Sequence, residues 1–281
     1  AIRDILGGKQ PMSAQYRGRG ASIVYNGEIY NTCELREELK PFGMSWSTTG
    51  DTEVILNGFL AMGTSFFEKL NGIFAFVIYV HQTKELYLVR DSLGVKPLFY
   101  SFDHTAVVFG SEPKALFAYG IHPAADRACW NEIFSLGPAR TLGNGGFAGI
   151  HELLPGEYMH ISASGCRHHF FRKLEAVPHH DSYTDTIRHV RFLLCDSIHR
   201  QMVSDIPICS FLSGGLDSSL VTAICQMYLK KEDAALDTFS FDFKGNDVNF
   251  QANSFQSSQD RPFAELVAKH LGTHHTLRRR Q

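Results

Sequence analysis

Several absences narrow the field first. No apolar run approaches about 18 residues and no signal peptide opens the chain, so neither a membrane span nor secretion is indicated and a cytoplasmic protein is expected. Charge of one sign is never concentrated: the formal net charge is -2, which gives no electrostatic case for nucleic acid or a membrane surface. The six cysteines (Cys33, Cys129, Cys166, Cys195, Cys209, Cys225) include no Cys-x-x-Cys pair, so zinc-type spacing is missing and a disulfide framework is not expected. Cys195, Cys209 and Cys225 have apolar neighbours and read as small core residues. Histidine pairs at 168–169, 179–180 and 274–275 come without a His-Glu-x-x-His helix, and read as solvent-facing imidazoles rather than metal ligands. Neither a Gly-x-x-x-x-Gly-Lys-Ser/Thr loop nor a Gly-x-Ser-x-Gly elbow occurs, which sets aside the commonest kinase-like and serine-hydrolase signatures.

What is present fits a globular chain of two domains, since 281 residues with 44% hydrophobic and 20% charged side chains match ordinary folded composition. The first part reads as strands and turns. "ASIVYNGEIY" alternates about Asn26-Gly27, "GIFAFVIYV" and "ELYLVRD" form a hairpin-like pair, and "AVVFGS" and "GEYMHIS" add strands. "NTCELREELKPFG" and "DTEVILNGFLAMG" have helical spacing, the second with Asp51 placed as a cap. A layered α+β domain ending near residue 170 follows. After the polar, proline-bearing "RKLEAVPHHDSY" the period changes. "DTIRHVRFLLCDSIHRQM" predicts an amphipathic helix with Ile187, Val190, Leu193, Leu194 and Ile198 along one side, and "IPICSFL" a short buried strand. "SSLVTAICQMYLKK", "LDTFSFDF" and "RPFAELVAKHLG" then alternate helix, strand and helix, as in a right-handed parallel βαβ unit.

"FLSGGLDSS" stands at a strand-to-helix junction of that unit, where parallel sheets bind ligands. Gly214 and Gly215 let backbone N–H groups curl around an anion, and Ser213, Ser218 and Ser219 add hydroxyls. Asp217 would repel bare phosphate, which implies a bridging cation such as Mg²⁺. The plainer alternative is a glycine turn with Asp217 capping a helix. For Asn26-Gly27 taken alone, the plainer alternative is a type I′ hairpin turn.

Residues 213–219 resemble the pyrophosphate loop of the ATP pyrophosphatase superfamily. "VYNGEIYN", "TTGDTEVIL", "LNGIFAFVIY", "RDSLGVKPLFY" and "FGSEPKAL" resemble the glutaminase domain of class II amidotransferases, and together the two halves are similar to the glutamine-hydrolysing asparagine synthetases. The resemblance implies an incomplete N-terminal-nucleophile-type α+β layered sandwich over 1–171 and a linker at 172–182. Over 183–281 it implies the start of an α/β parallel-sheet ATP-binding domain. It implies that Asn26 and the Gly27 amide form an oxyanion hole, and that Glu28 and Asp51 grip the glutamine ammonium. It implies that Leu212, Ser213, Gly214, Gly215, Asp217, Ser218, Ser219 and Phe241 meet ATP, with Asp217 on Mg²⁺. Phe241 would touch ATP through its backbone, or is simply a buried strand aromatic. Arg90 and Asp91 read as structural partners near a turn. Glutamine, aspartate and ATP are the implied small-molecule partners, with no nucleic acid or membrane, and a homodimer is left open.

The family's terminal cysteine nucleophile and its glutamine-carboxylate arginine have no counterpart: alignment by residues 7–12 would place that arginine just before Ala1, and of its segment only Ala1, Ile2 and Arg3 remain. The later ATP segment and the aspartate-binding residues are likewise unmatched. The chain is therefore expected to be the central part of a longer enzyme, inactive by itself, with its last third prone to aggregate through uncovered apolar surface. A β-lactam-synthetase-like or ammonia-dependent carboxylate-adenylating enzyme is the rival within the same chemistry. A non-catalytic ATP- or glutamine-binding module is the rival of another class.

Overall fold

A computed structural model describes residues 4, 7–103, 106–137, 139–254 and 258–280; Ala1, Ile2 and Arg3 lie outside the described residues. Two compact units divide between Val177 and Pro178, within a stretch free of regular structure from residue 172 to 180.

The first unit runs β1 (Met12–Tyr16), β2 (Arg19–Ile29), α1 (Thr32–Leu39), α2 (Asp51–Met62), β3 (Gly72–Val80), β4 (Glu85–Arg90), β5 (Phe99–Asp103), β6 (Ala106–Gly110), α3 (Pro113–Tyr119), α4 (Arg127–Leu136), β7 (His151–Glu152), β8 (Glu157–Ser162) and β9 (Gly165–Phe170). Its main sheet, in the order β1-β2-β3-β4-β8-β9, is antiparallel, and β6-β5-β7 form a second antiparallel sheet. Because side chains alternate along a strand, β3 serves two cores. Phe74, Phe76, Ile78 and Val80 face a cluster with Ile55, Phe59 and Phe67, while Ala75 and Val77 face Leu98, Tyr100 and Leu153. A third cluster joins Phe99 and Val108 to Leu116 of α3. The layers are thus helix, sheet, sheet and helix, the sandwich that the resemblance implied.

Asn26-Gly27 is no hairpin turn. β2 runs unbroken through it, paired with β3 from Ala21↔Val80 to Ile29↔Gly72. Nor is Asp51 a cap: Gly50 holds that position and Asp51 is the first residue of α2.

The second unit contains α5 (Tyr183–Gln201), β10 (Cys209–Phe211), α6 (Leu216–Leu229), β11 (Asp237–Phe243), α7 (Asn246–Asn249), α8 (Arg261–Leu271) and β12 (His274–Arg280). The strands are parallel in the order β10-β11-β12. Gly272, in the left-handed region (φ 71°), ends α8 and returns its N–H to the Ala268 carbonyl. Leu212, Ala264 and Ala268 form its buried cluster, with Val267 against it. Three expectations fail here for one reason, which is that little packs over these elements. Cys209 and Phe211 make β10 a largely exposed strand, Cys195 is half-buried rather than core, and only Cys225 of that trio is buried. Leu193 and Leu194 of α5 are likewise exposed. Among the described residues, no helix is long and apolar enough to cross a membrane.

Candidate functional site

The first candidate site is built on the edge of β2. Phe74 faces Gly27 across the β2–β3 ladder, yet its backbone groups point the other way. Its N–H donates to Asp91 Oδ2 (3.2 Å) and its carbonyl accepts the Asp91 N–H (2.8 Å). Alternation then turns the N–H groups of residues 25, 27 and 29 toward the edge away from β3. Two of the three have visible partners there: Tyr25 N–H donates to Gln10 Oε1 (2.6 Å), and Ile29 N–H to Asp51 Oδ2 (3.1 Å). The Gly27 N–H lies between them. Glycine is required at this point, since φ is 156° and a β-carbon would run into the Ile73 carbonyl oxygen and approach Phe74 Cα at 2.7 Å.

Asn26 is exposed and its Nδ2 donates to Ser111 Oγ (3.2 Å), and its second amide hydrogen has no partner among the described residues. A cavity of about 220 Å³ adjoins it, lined among others by Gln10, Tyr25, Leu98, Phe109 and Ser111. The two carboxylates are brought together from different elements, Glu28 from β2 and Asp51 from the start of α2. Burial raises the Glu28 carboxyl above its ordinary value, the Asp51 charge adds to this, and Lys96 opposes it. Like charges facing one volume favour a bound cation. Tyr25 is also raised, well above the ordinary phenol, first by burial and then by Asp51. Tyr30 is pushed up to about 12 by burial and Glu28.

Arg90 and Asp91 frame the neighbouring turn. Arg90 pairs with Glu152 (3.0 Å) and donates to the carbonyls of Gly94, Lys96 and Leu153, while Asp91 accepts the N–H groups of Leu93, Val95 and Lys96. Sequence reasoning passed over Tyr25, Gln10, Ser111 and Glu53. Glu53 accepts four hydrogen bonds from Ser47 and Thr48, all at 2.7–2.8 Å. Gln10 and Ser111 lie on either side of any local window around Asn26, so only the pairing of distant strands reveals them. Tyr25 and Glu53 stood inside the quoted segments, and their polar groups on otherwise apolar elements were the available signal.

The second candidate site is the loop between β10 and α6. Leu212 is buried and its N–H donates to the Phe239 carbonyl (2.8 Å), which ties the start of the loop to β11 one residue past β10. Gly214 has φ 85°, and a β-carbon there would sit 2.5 Å from the Ala264 N and 2.6 Å from Phe263 Cβ, so the loop lies against α8. Gly215 is the N-cap of α6. Ser213 Oγ and Ser218 Oγ are 2.9 Å apart, and Ser218 Oγ also donates to the Gly215 carbonyl (3.2 Å). Ser219 Oγ is shut off from solvent without a partner among the described residues, an unusual cost for a hydroxyl. Asp217, in the first turn, is exposed and does not cap the helix. Phe241 of β11 is 61% exposed, which overturns its reading as a buried aromatic, and its ring lies 5.7 Å from that of Phe211.

Among the described residues no three His, Cys, Asp or Glu side chains converge as a self-sufficient metal site. The donor set at α6 is one exposed carboxylate beside hydroxyls, which fits Mg²⁺ held jointly by a carboxylate and substrate phosphates and does not fit a metal caged by protein alone.

Residues 1–172 match the family model of the glutamine amidotransferase domain and residues 189–279 that of asparagine synthase. The chain belongs to the glutamine amidotransferase family, in the group whose amidotransferase domain is joined to an asparagine synthase domain. It is 44% identical over 277 residues to glutamine-hydrolysing asparagine synthetase 3 of Bacillus subtilis, covering 98% of this chain and 45% of that protein. To asparagine synthetase B of Escherichia coli it is 32% identical over 285 residues, covering 99% and 45%. The chain thus spans under half the length of these relatives. A solved glutamine phosphoribosylpyrophosphate amidotransferase from B. subtilis aligns with 95% of this chain and 48% of that one at 17% identity and a TM-score of 0.43, a likeness too slight to build on.

Proposed function

We propose that these residues belong to a cytoplasmic enzyme that makes asparagine from aspartate, ATP and glutamine, with a glutaminase domain over 1–171, a linker at 172–182 and the opening of the synthetase domain over 183–281. The observation that carries the reading is the presence on one chain of a strand edge where the Asn26 amide and the Gly27 N–H lie near two carboxylates, and of a glycine-serine loop at the start of α6.

At the first site Asn26 Nδ2 and the Gly27 N–H are donors suited to the oxyanion that develops on the glutamine side-chain carbonyl. Glu28 and Asp51 supply the negative charge that would hold the α-ammonium. Among the described residues no cysteine lines the Asn26 cavity, and Cys33 sits exposed on α1. These residues alone are therefore proposed not to hydrolyse glutamine.

At the second site the loop N–H groups, Ser213, Ser218 and Ser219 would receive the pyrophosphate of ATP, and Leu212 and Phe241 would lie along the adenosine. Asp217 would hold Mg²⁺, which supplies charge neutralisation for the leaving pyrophosphate when bound. The aspartate β-carboxylate attacks the α-phosphorus and expels pyrophosphate, giving β-aspartyl-AMP. Ammonia from the first site then attacks the acyl carbon and expels AMP, so each hard displacement is divided into easier ones.

Calorimetric titration of the chain with ATP, with and without Mg²⁺, tests the second site. Asp217→Asn should weaken MgATP about tenfold, as loss of one charged ligand does, and should tighten metal-free ATP, whose phosphates the Asp217 charge repels. Equal MgATP affinity in both proteins would remove Asp217 from the site.

A further inference from the structure

Among the described residues, Asp51 spends one carboxylate oxygen on the protein. Oδ2 accepts both the Tyr25 hydroxyl (2.7 Å) and the Ile29 N–H (3.1 Å), and Oδ1 accepts nothing among the described residues. The terminal torsion of an aspartate is soft and exchanges its oxygens readily, so two donors on one oxygen hold it in a single orientation. Tyr25 is itself braced. The β1–β2 ladder reaches only Met12↔Ile23, and the Gln10 side chain supplies the next rung, taking the Tyr25 N–H at 2.6 Å and donating to its carbonyl at 2.9 Å. The raised Tyr25 phenol keeps its proton at any working pH, so it remains a donor.

We propose that Tyr25 is a positioning residue for the α-ammonium of glutamine, pinning Asp51 Oδ2 so that Oδ1 is presented to the ligand. This rests on the reading of the first site as glutamine-binding. Presenting the acceptor in advance removes an ordering cost from binding, and the benefit falls on ligands that carry the ammonium.

The test is calorimetric titration of the 281-residue chain with L-glutamine and with its deaminated analogue 4-carbamoylbutanoate. Tyr25→Phe should bind glutamine about tenfold more weakly, the usual worth of a hydrogen bond to a charged group, and the analogue as wild type does. Asp51→Asn should lose about a hundredfold for glutamine. If wild type fails to bind glutamine, or Asp51→Asn binds it equally well, the glutamine reading falls and takes this inference with it. If Asp51→Asn loses binding while Tyr25→Phe keeps wild-type affinity, the positioning role alone is overturned. Equal weakening of both ligands by Tyr25→Phe would mark a general structural role and overturn it too.

Discussion

The two units solve the burial problem to different extents. In the first, Phe59, Phe66, Phe67, Phe74 and Phe76 are fully buried, and the Phe67 ring alone meets those of Phe59, Phe76, Tyr158 and Phe171 at 5.4–6.4 Å. In the second, the buried apolar residues among those described are fewer and smaller: Leu212, Ala264 and Ala268 cluster together, and Ile224, Cys225 and Leu236 are buried besides. Ile187, Val190 and Leu194 of α5 and Leu220 and Met227 of α6 remain partly open along a groove of about 560 Å³. Antiparallel sheets stacked face to face bury each other's inner surfaces, whereas a parallel sheet depends on helices over both faces. Three strands with few helices leave much of that surface uncovered. The amphipathic pattern of α5 therefore describes what the helix could bury, not what it does bury.

The largest effect should come from breaking the stronger side of this contrast. Phe67→Ala is expected to cost about 3–5 kcal/mol, through lost burial and the cavity left behind. Urea titration followed by tryptophan fluorescence reads it selectively, because both tryptophans, Trp46 and Trp130, lie in the first unit. A cost under about 1 kcal/mol would mean that the aromatic cluster collapses around the gap and is not the anchor.

Glu53→Gln comes next, at about 2–3 kcal/mol near neutral pH, since it weakens a carboxylate that accepts four hydrogen bonds. Burial works to raise the Glu53 carboxyl, and the bonds from Ser47 and Thr48 overturn this and hold it below its ordinary 4.5. A carboxylate lowered in the folded state contributes stability that is present above the unfolded value and lost as pH falls through the folded one. The gap between wild type and Glu53→Gln should therefore be full at pH 7, begin to narrow below the ordinary 4.5 as pH falls toward the lowered folded value, and be visibly smaller at about pH 3. Urea titrations at the two pH values check this, and an undiminished gap in acid would assign the loss to packing.

The smallest effect belongs to the weaker side. Val190, 49% exposed on α5, should tolerate serine with a change within about 0.5 kcal/mol, measured by hydrogen exchange along α5. A cost above about 1 kcal/mol would show that this face is covered in solution, and the contrast between the units would lose its force there.

The sequence carried much of this unaided. The β3–β4 pair, α1, α2, α5, α6 and α8 were legible because their apolar periods are strong and glycines or prolines punctuate them. The residue chemistry of both candidate sites was legible too, since amide donors, carboxylates and a glycine-serine loop are properties of residue type. What the local reading missed depends on partners distant in the chain. Asn26-Gly27 looks like a turn from its neighbours, and only pairing with β3 makes it continuous strand. Asp51 looks like a cap until Tyr25 and Ile29 claim one of its oxygens. Burial of α5 and β10 could not be read from period alone, because a period states which face is apolar and never what lies against it. Residue types and local periods are intrinsic to the chain, so the sequence by itself determined the elements and the chemistry within reach. Strand register, the direction of each N–H and the covering of each face arise only when remote segments meet, so those the tertiary structure decided.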